Sequence, residues 1–83
     1  MKLEISIPFG NKSLDEILLV SSELTQEIEK HGGISTDSGA GFGYRDLFFE
    51  IEDYSITDFA RKFLVKHGFE DFFCDVVLEE DDE

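Results

Sequence analysis

"GGISTDSGAGFGYRDLFFEIE", residues 32–52, is the stretch whose reading decides the fold. It holds Gly32, Gly33, Gly39, Gly41 and Gly43, five of the seven glycines in the chain. Glycines this dense either let a backbone close on a phosphate or let a chain reverse. A phosphate loop runs from a strand into a helix, so that the first amides of the helix face the anion. Here the order is inverted: an amphipathic helix pattern precedes the glycines and a strand pattern follows them. The third glycine of a dinucleotide fingerprint would fall on Tyr44, and no Gly-Lys-Ser/Thr ending is present. The stretch therefore reads as a flexible hairpin with bulges over residues 37–45, its glycines supplying positive backbone angles and Asp37 and Ser38 acting as turn formers.

Upstream of the glycines, residues 13–32 read as a helix. Ser13 and Glu16 have capping-box spacing, and Leu14, Ile17, Leu18, Leu24 and Ile28 recur at helical spacing, with Leu19 and Val20 widening the stripe. Lys30, His31 and Gly32 suit a helix C-terminus. Before it, residues 2–8 alternate: Leu3, Ile5 and Ile7 face one way, Lys2, Glu4 and Ser6 the other, until Pro8 and Gly10 end the strand. Residues 34–38 give a weak strand pattern. Residues 46–52 give a strong one, with Leu47, Phe49 and Ile51 opposite Phe48, Glu50 and Glu52. A second helix follows over 55–68. Ser55 is its expected cap, its stripe is Ile56, Phe59, Ala60, Phe63 and Leu64, and it closes on Lys66-His67-Gly68, the same three residue types that close the first. A last strand over about 71–79 sets Phe72, Cys74, Val76 and Leu78 against Phe73, Asp75, Val77 and Glu79. The acidic end, residues 79–83, reads as a frayed tail.

The order β-α-β-β-α-β, in one domain spanning residues 1–83, predicts an α+β, ferredoxin-like two-layer sandwich. Its four-stranded antiparallel sheet is expected in the order 4-1-3-2, with both helices on one face. Each helix has a single apolar stripe, so the other face of the sheet is left to water or to a partner.

Composition narrows the chemistry. Seven Lys and Arg oppose twenty Asp and Glu, a net charge of −13. Solubility needs a magnitude of only about 2 to 8. Nucleic acid and anionic membranes are poor partners for such a surface, and a basic partner is a good one. No apolar run approaches the roughly 20 residues of a membrane span. The N-terminus reads as a strand, not as a signal peptide, because Glu4 and Ser6 break its apolar run. Cys74 is the single cysteine and sits in an apolar run, which fits a buried hydrophobe in a reducing compartment. A cytoplasmic chain is expected. His31 and His67 each precede a helix-ending glycine, where a capping role accounts for them. Neither has a second His at metal spacing, Cys-x-x-Cys is absent, and the acidic tail lacks the pattern of a calcium loop. No catalytic residue, metal ligand or cofactor is expected. Acylphosphatases share the topology, but their phosphate-holding arginine has no counterpart in "PFGNKS", residues 8–13. RNA-recognition domains share it too, but carboxylates crowd the face on which they stack bases.

That face is the informative constellation. In the expected order Glu4 and Glu50 lie close, with Glu52, Asp75 and Glu79 beside them and Phe48 and Phe73 between. Like charges on neighbouring strands lower stability, and solvated aromatics gain nothing, so both fit a face that a basic partner covers. A solvated acidic sheet accounts for them equally. Tyr44 and Arg45, at the hairpin exit, are candidate anchors, although a Tyr that covers the hairpin edge is an equal reading.

The run "GAGFGYRDLFFEIED", residues 39–53, between two capped helices resembles small bacterial ferredoxin-like proteins that carry a Gly-rich hairpin before an "LFF" strand. In size and charge the chain is also similar to bacterial immunity proteins, the acidic inhibitors of basic nuclease toxins. That resemblance implies a non-enzymatic binding protein for a basic toxin or nuclease, acting as a monomer or weak homodimer. The alternatives are a phage-type nucleic-acid mimic that inhibits a defence nuclease, and a small metabolite-binding regulatory domain.

Overall fold

A computed structural model describes residues 1–77. Six elements follow in the order β1 (Lys2–Pro8), α1 (Leu14–Lys30), β2 (Ile34–Gly41), β3 (Tyr44–Glu50), α2 (Ser55–Lys66) and β4 (Phe73–Val77). The antiparallel sheet has the order β2-β3-β1-β4, which is the expected 4-1-3-2 read from its other edge. Both helices lie on one side, α1 over β2 and β3, α2 over β4. The fold is thus α+β and ferredoxin-like. Leu78, Glu79 and the acidic tail lie outside the described residues.

The core forms where strand alternation meets the helix stripes. Leu3, Ile5, Ile7, Leu47 and Phe49 point from the sheet into Ile17, Leu24, Ile28, Ile56, Ala60 and Leu64, and all are buried. Burial of each large apolar side chain contributes roughly 1.5 to 3 kcal/mol. In α1 the buried line runs Ile17, Ser21, Leu24, Ile28. Ser21 fits there because its hydroxyl donates to the Ile17 carbonyl at 2.7 Å. The expected stripe was wider than this line: Leu14, Leu18 and Leu19 are exposed. Leu18 borders the flank of the helix, and Leu19 falls on the side away from the sheet.

The capping box of α1 is present, with Ser13 Oγ accepting from the Glu16 N–H and Glu16 Oε1 accepting from the Ser13 N–H, each at 3.2 Å. The expected cap of α2 needs correction. Ser55 is already helical, and its N–H donates to Asp53 Oδ1 at 2.9 Å. Asp53 thus forms an Asx turn ahead of the helix, and this hydrogen bond holds its carboxyl below the usual carboxylate range. Both helices end as expected on a glycine of positive φ, Gly32 at 96° and Gly68 at 84°.

The glycine-rich stretch is more regular than expected. β2 runs to Gly41, so Gly39 and Gly41 lie within a strand and the turn contains only Phe42 and Gly43. Positive φ at both (55° and 82°) marks a type I′ hairpin turn, whose twist matches that of its strands. A bulge is present, but at the N-terminal end of β2 and not within the hairpin where it was expected, as a register shift between Ser35 and Asp37. β3 is correspondingly displaced from the expected 46–52, beginning at Tyr44 and ending at Glu50.

Candidate functional site

Strand register fixes what the uncovered side of the sheet presents. Reading from β4 to β2, one row is Val77, Lys2, Glu50 and Ile34, and the next is Asp75, Glu4, Phe48 and Asp37. A third is Phe73, Ser6, Asp46 and Gly39, and Tyr44 lies opposite Pro8 and Gly41 in the last. Glu4 therefore sits at the centre, with Asp75 on one neighbouring strand and Phe48 on the other. Carboxylates alternate with aromatic rings, as sequence parity suggests.

The groups differ in how they are engaged. Glu50 Oε2 lies 2.8 Å from the N-terminal ammonium, which also donates to the Ile51 carbonyl at 2.7 Å. Glu50 is therefore not the unneutralised central carboxylate of the expected arrangement. Lys2 Nζ lies 5.3 Å from the centre of the Phe48 ring, a cation–π distance, so Phe48 is half-buried under a lysine stem. Phe73 is exposed on the edge strand β4. Asp46 accepts from the Ser6 hydroxyl. Asp75 accepts from the Val76 N–H at 2.8 Å and the Tyr54 hydroxyl at 2.9 Å, and Arg61 lies 3.4 Å away. These hydrogen bonds, the backbone one foremost, hold its carboxyl below the usual range. Asp75 is thus tied to α2 around the β4 edge.

Three expected site residues lie elsewhere. Glu52 falls after the end of β3, in a bend, so it leaves the face that strand alternation assigned it. Arg45 has the parity of Leu47 and Phe49 and points to the helix side, so Tyr44 and Arg45 diverge and do not form one anchor. Glu79 is outside the described residues. Sequence reasoning also missed two members of the face. Asp46 shares the parity of Phe48 and could have been found from it. Asp37 joins the face only because of the bulge beside it.

The two histidines and the cysteine are engaged within the fold. His31 Nδ1 lies 2.8 Å from the Glu27 carbonyl oxygen and His67 Nδ1 lies 2.9 Å from that of Phe63. A carbonyl only accepts, so Nδ1 carries the proton in both rings. Each ring also packs against α2, His31 tilted on Phe59 with ring centres 4.5 Å apart and His67 stacked on Phe63 at 4.2 Å. Cys74 is buried, and burial pushes its thiol up to about 11. Among the described residues no group of three or more His, Cys, Asp or Glu is arranged to hold a metal, and no helix is long and apolar enough to cross a membrane. Compared with known proteins, the chain matches no family model and no curated protein.

Proposed function

We propose that this chain is a non-enzymatic, cytoplasmic binding protein whose uncovered sheet face docks a basic protein, in the manner of an immunity protein that neutralises a toxin nuclease. The observation that carries the reading is the central row Asp75–Glu4–Phe48–Asp37, in which Glu4 on β1 and Asp37 on β2 flank the aromatic ring on β3 and Asp75 on β4 lies beyond Glu4. Such a row is poor for stability, since like charges lie on adjacent strands. It is good for recognition: carboxylates steer a basic surface into contact and the aromatic supplies buried area once water leaves. The rings of Phe48 and Phe73 and the ammonium of Lys2 interrupt the acidic surface. That favours a protein partner over the role of a nucleic-acid mimic, whose negative charge has to repeat without interruption.

The test is capture from lysate of the source organism at low salt, with wild type and a Glu4→Lys/Phe48→Ala double variant in parallel. A basic protein should be retained by wild type, released by salt and lost from the variant. Its nuclease activity should fall to background at equimolar wild-type chain. Glu4→Lys alone should slow association and reduce its salt dependence, and Phe48→Ala should speed dissociation by an amount worth ~1 to 3 kcal/mol. Equal retention by the double variant removes the sheet face as the interface, and full nuclease activity in the complex removes the inhibitor role.

A further inference from the structure

The two edges of the sheet are finished differently. On β4 the backbone is engaged by side chains: Arg61 Nε donates to the Cys74 carbonyl at 2.9 Å, and the Val76 N–H donates to Asp75 Oδ1 at 2.8 Å. β2 forms the other edge. Its two-residue turn makes Gly41 and Tyr44 the hydrogen-bonded pair that closes the hairpin, so by alternation Ser38 and Ala40 turn their N–H and C=O groups away from β3. The Ser38 N–H donates to Asp37 Oδ1 at 2.8 Å, whereas the outward groups of Ala40 have no partner among the described residues. The surroundings of this edge are almost uncharged. In a chain of net charge −13, Asp37 and Arg45 are the only charged residues between Gly32 and Arg45. The flank of α1 beside β2 presents Leu18, Ser22, Thr25 and Gln26. Ile34 and Phe42 are exposed, Phe42 completely and at a φ of 55°, a conformation unfavourable to a bulky side chain. Gly39 and Gly41 weaken a strand, yet neither has a positive φ or a non-neighbouring atom within 4 Å of where a Cβ would stand. Strand glycines that the chain itself does not need leave room for another backbone to approach.

We propose that β2 is the edge at which two copies of this chain pair, antiparallel about a two-fold axis through Gly39, joining two four-stranded sheets into one. In that register Ser38 and Ala40 of one copy exchange N–H···O=C bonds with Ala40 and Ser38 of the other. Gly39 faces its own counterpart and Asp37 faces Gly41, so no side chain opposes another bulky one at the centre. The two Asp37 carboxylates stand roughly 13 Å apart along the strands, beyond the screening length of about 8 Å at physiological salt. The axis runs perpendicular to the sheet, so the uncharged flanks of the two α1 helices also meet, and Phe42 of each copy is carried toward Ile34 of the other. Two chains of net −13 approach most easily where charge is sparse, which selects a second copy for this edge; a basic strand would be drawn to the carboxylates of the uncovered face instead. Pairing consumes the open edge of both copies, and the occupied β4 edges stop assembly at two. The contact between Asp37 and the Ser38 N–H has to open first, which keeps the association weak. The pairing uses the backbone of the edge and does not depend on the partner proposed for the uncovered face.

The experiment is sedimentation velocity of the full chain from about 10 μM to about 1 mM, at ~50 and ~500 mM NaCl, with ¹⁵N amide spectra at the same concentrations. A reversible dimer with a Kd of about 0.1 to 1 mM should form. It should be about threefold or more tighter at the higher salt, because screening relieves the repulsion between like-charged chains. Rising concentration should shift the amides of Ser38, Gly39 and Ala40. Ala40→Pro, which removes an outward N–H and leaves the β3 ladder intact, should abolish the dimer. Asp37→Ala, which frees the Ser38 N–H, should tighten it by about threefold or more. Val65→Ser, at an exposed position on α2, should leave it unchanged. A monomer at every concentration, association that salt weakens, assembly beyond the dimer, or shifts confined to residues outside β2 would each overturn the proposal. The wild-type measurements decide the matter even if the variants fail to fold.

Discussion

The two sides of one sheet are built from the same strands and have opposite characters. Phe48 and Phe49 are chain neighbours. Phe49 is fully buried against the helices, while Phe48 lies half-buried under Lys2 on the uncovered side. Cys74 and Asp75 repeat the contrast on β4. The thiol is buried and its pKa raised, whereas the carboxylate reaches solvent and its pKa is lowered by hydrogen bonds. One residue of strand offset thus separates a side chain packed in the core from one that reaches the surface, where Phe48 meets Lys2 and Asp75 meets Tyr54 and Arg61.

The largest test of this division is the phenylalanine pair. Phe49→Ala should destabilise the chain by about 3 to 5 kcal/mol, through lost burial and the cavity left behind. Phe48→Ala should lose no more than about 1 kcal/mol, including its cation–π contact. Urea denaturation of both variants measures the difference, and equal losses would mean that the two faces are not energetically distinct.

Cys74 offers an effect of intermediate size. Its folded pKa is raised above the unfolded value, so its contribution is fully present below about pH 9. It is lost as pH rises toward about 11, by on the order of 2 kcal/mol. Wild type should therefore lose more stability than Cys74→Val between pH 8.5 and pH 11, both ~values set by the thiol's two pKa positions; parallel curves would show the thiol to be as accessible folded as unfolded. Asp75 acts at the other end of the scale. With its folded pKa lowered, its contribution is present above the unfolded value of about 4 and lost as pH falls through the folded one.

The smallest effect carries an unusual sign. Glu4 lies opposite Asp75, and like charges in that position are destabilising by roughly 0.2 to 1 kcal/mol. Glu4→Gln should therefore stabilise the chain by a few tenths of a kcal/mol, with the gain shrinking as salt is raised. A loss of stability instead would show that Glu4 has a favourable partner on this face, and would weaken the argument that the face serves a partner at the expense of the fold.

Much of this organisation was legible in the sequence. Alternation over residues 2–8 and 46–52 identified both faces of the central strands as far as Glu50, where β3 ends, and the Ser13–Glu16 spacing located the start of α1. What escaped depended on contacts between distant segments. A two-residue turn at Phe42-Gly43 fixes the register, and it extends β2 through glycines that locally read as a loop. Leu14, Leu18 and Leu19 have helical spacing, but the line of α1 that meets the core is Ile17, Ser21, Leu24 and Ile28, and the three leucines fall outside it. Arg45 follows Tyr44 in the chain, and only strand parity sends the two to opposite sides. The neutralisation of Glu50 requires the chain's own N-terminus, which no local pattern predicts.

The placement of β1 between β3 and β4 has a consequence during synthesis. Lys2 pairs with Glu50 on one side and with Val77 on the other. At about 5 to 20 residues per second, the ribosome takes roughly one to five seconds to pass from the first of these partners to the second. For that interval a strand carrying Leu3, Ile5 and Ile7 has an unpaired edge, the kind of edge that recruits another nascent chain. Glu4, one of the two carboxylates whose apposition lowers the stability of the finished sheet, is already present on the emerging one. Like charge on an edge of this kind disfavours its pairing with a second copy before β4 closes it.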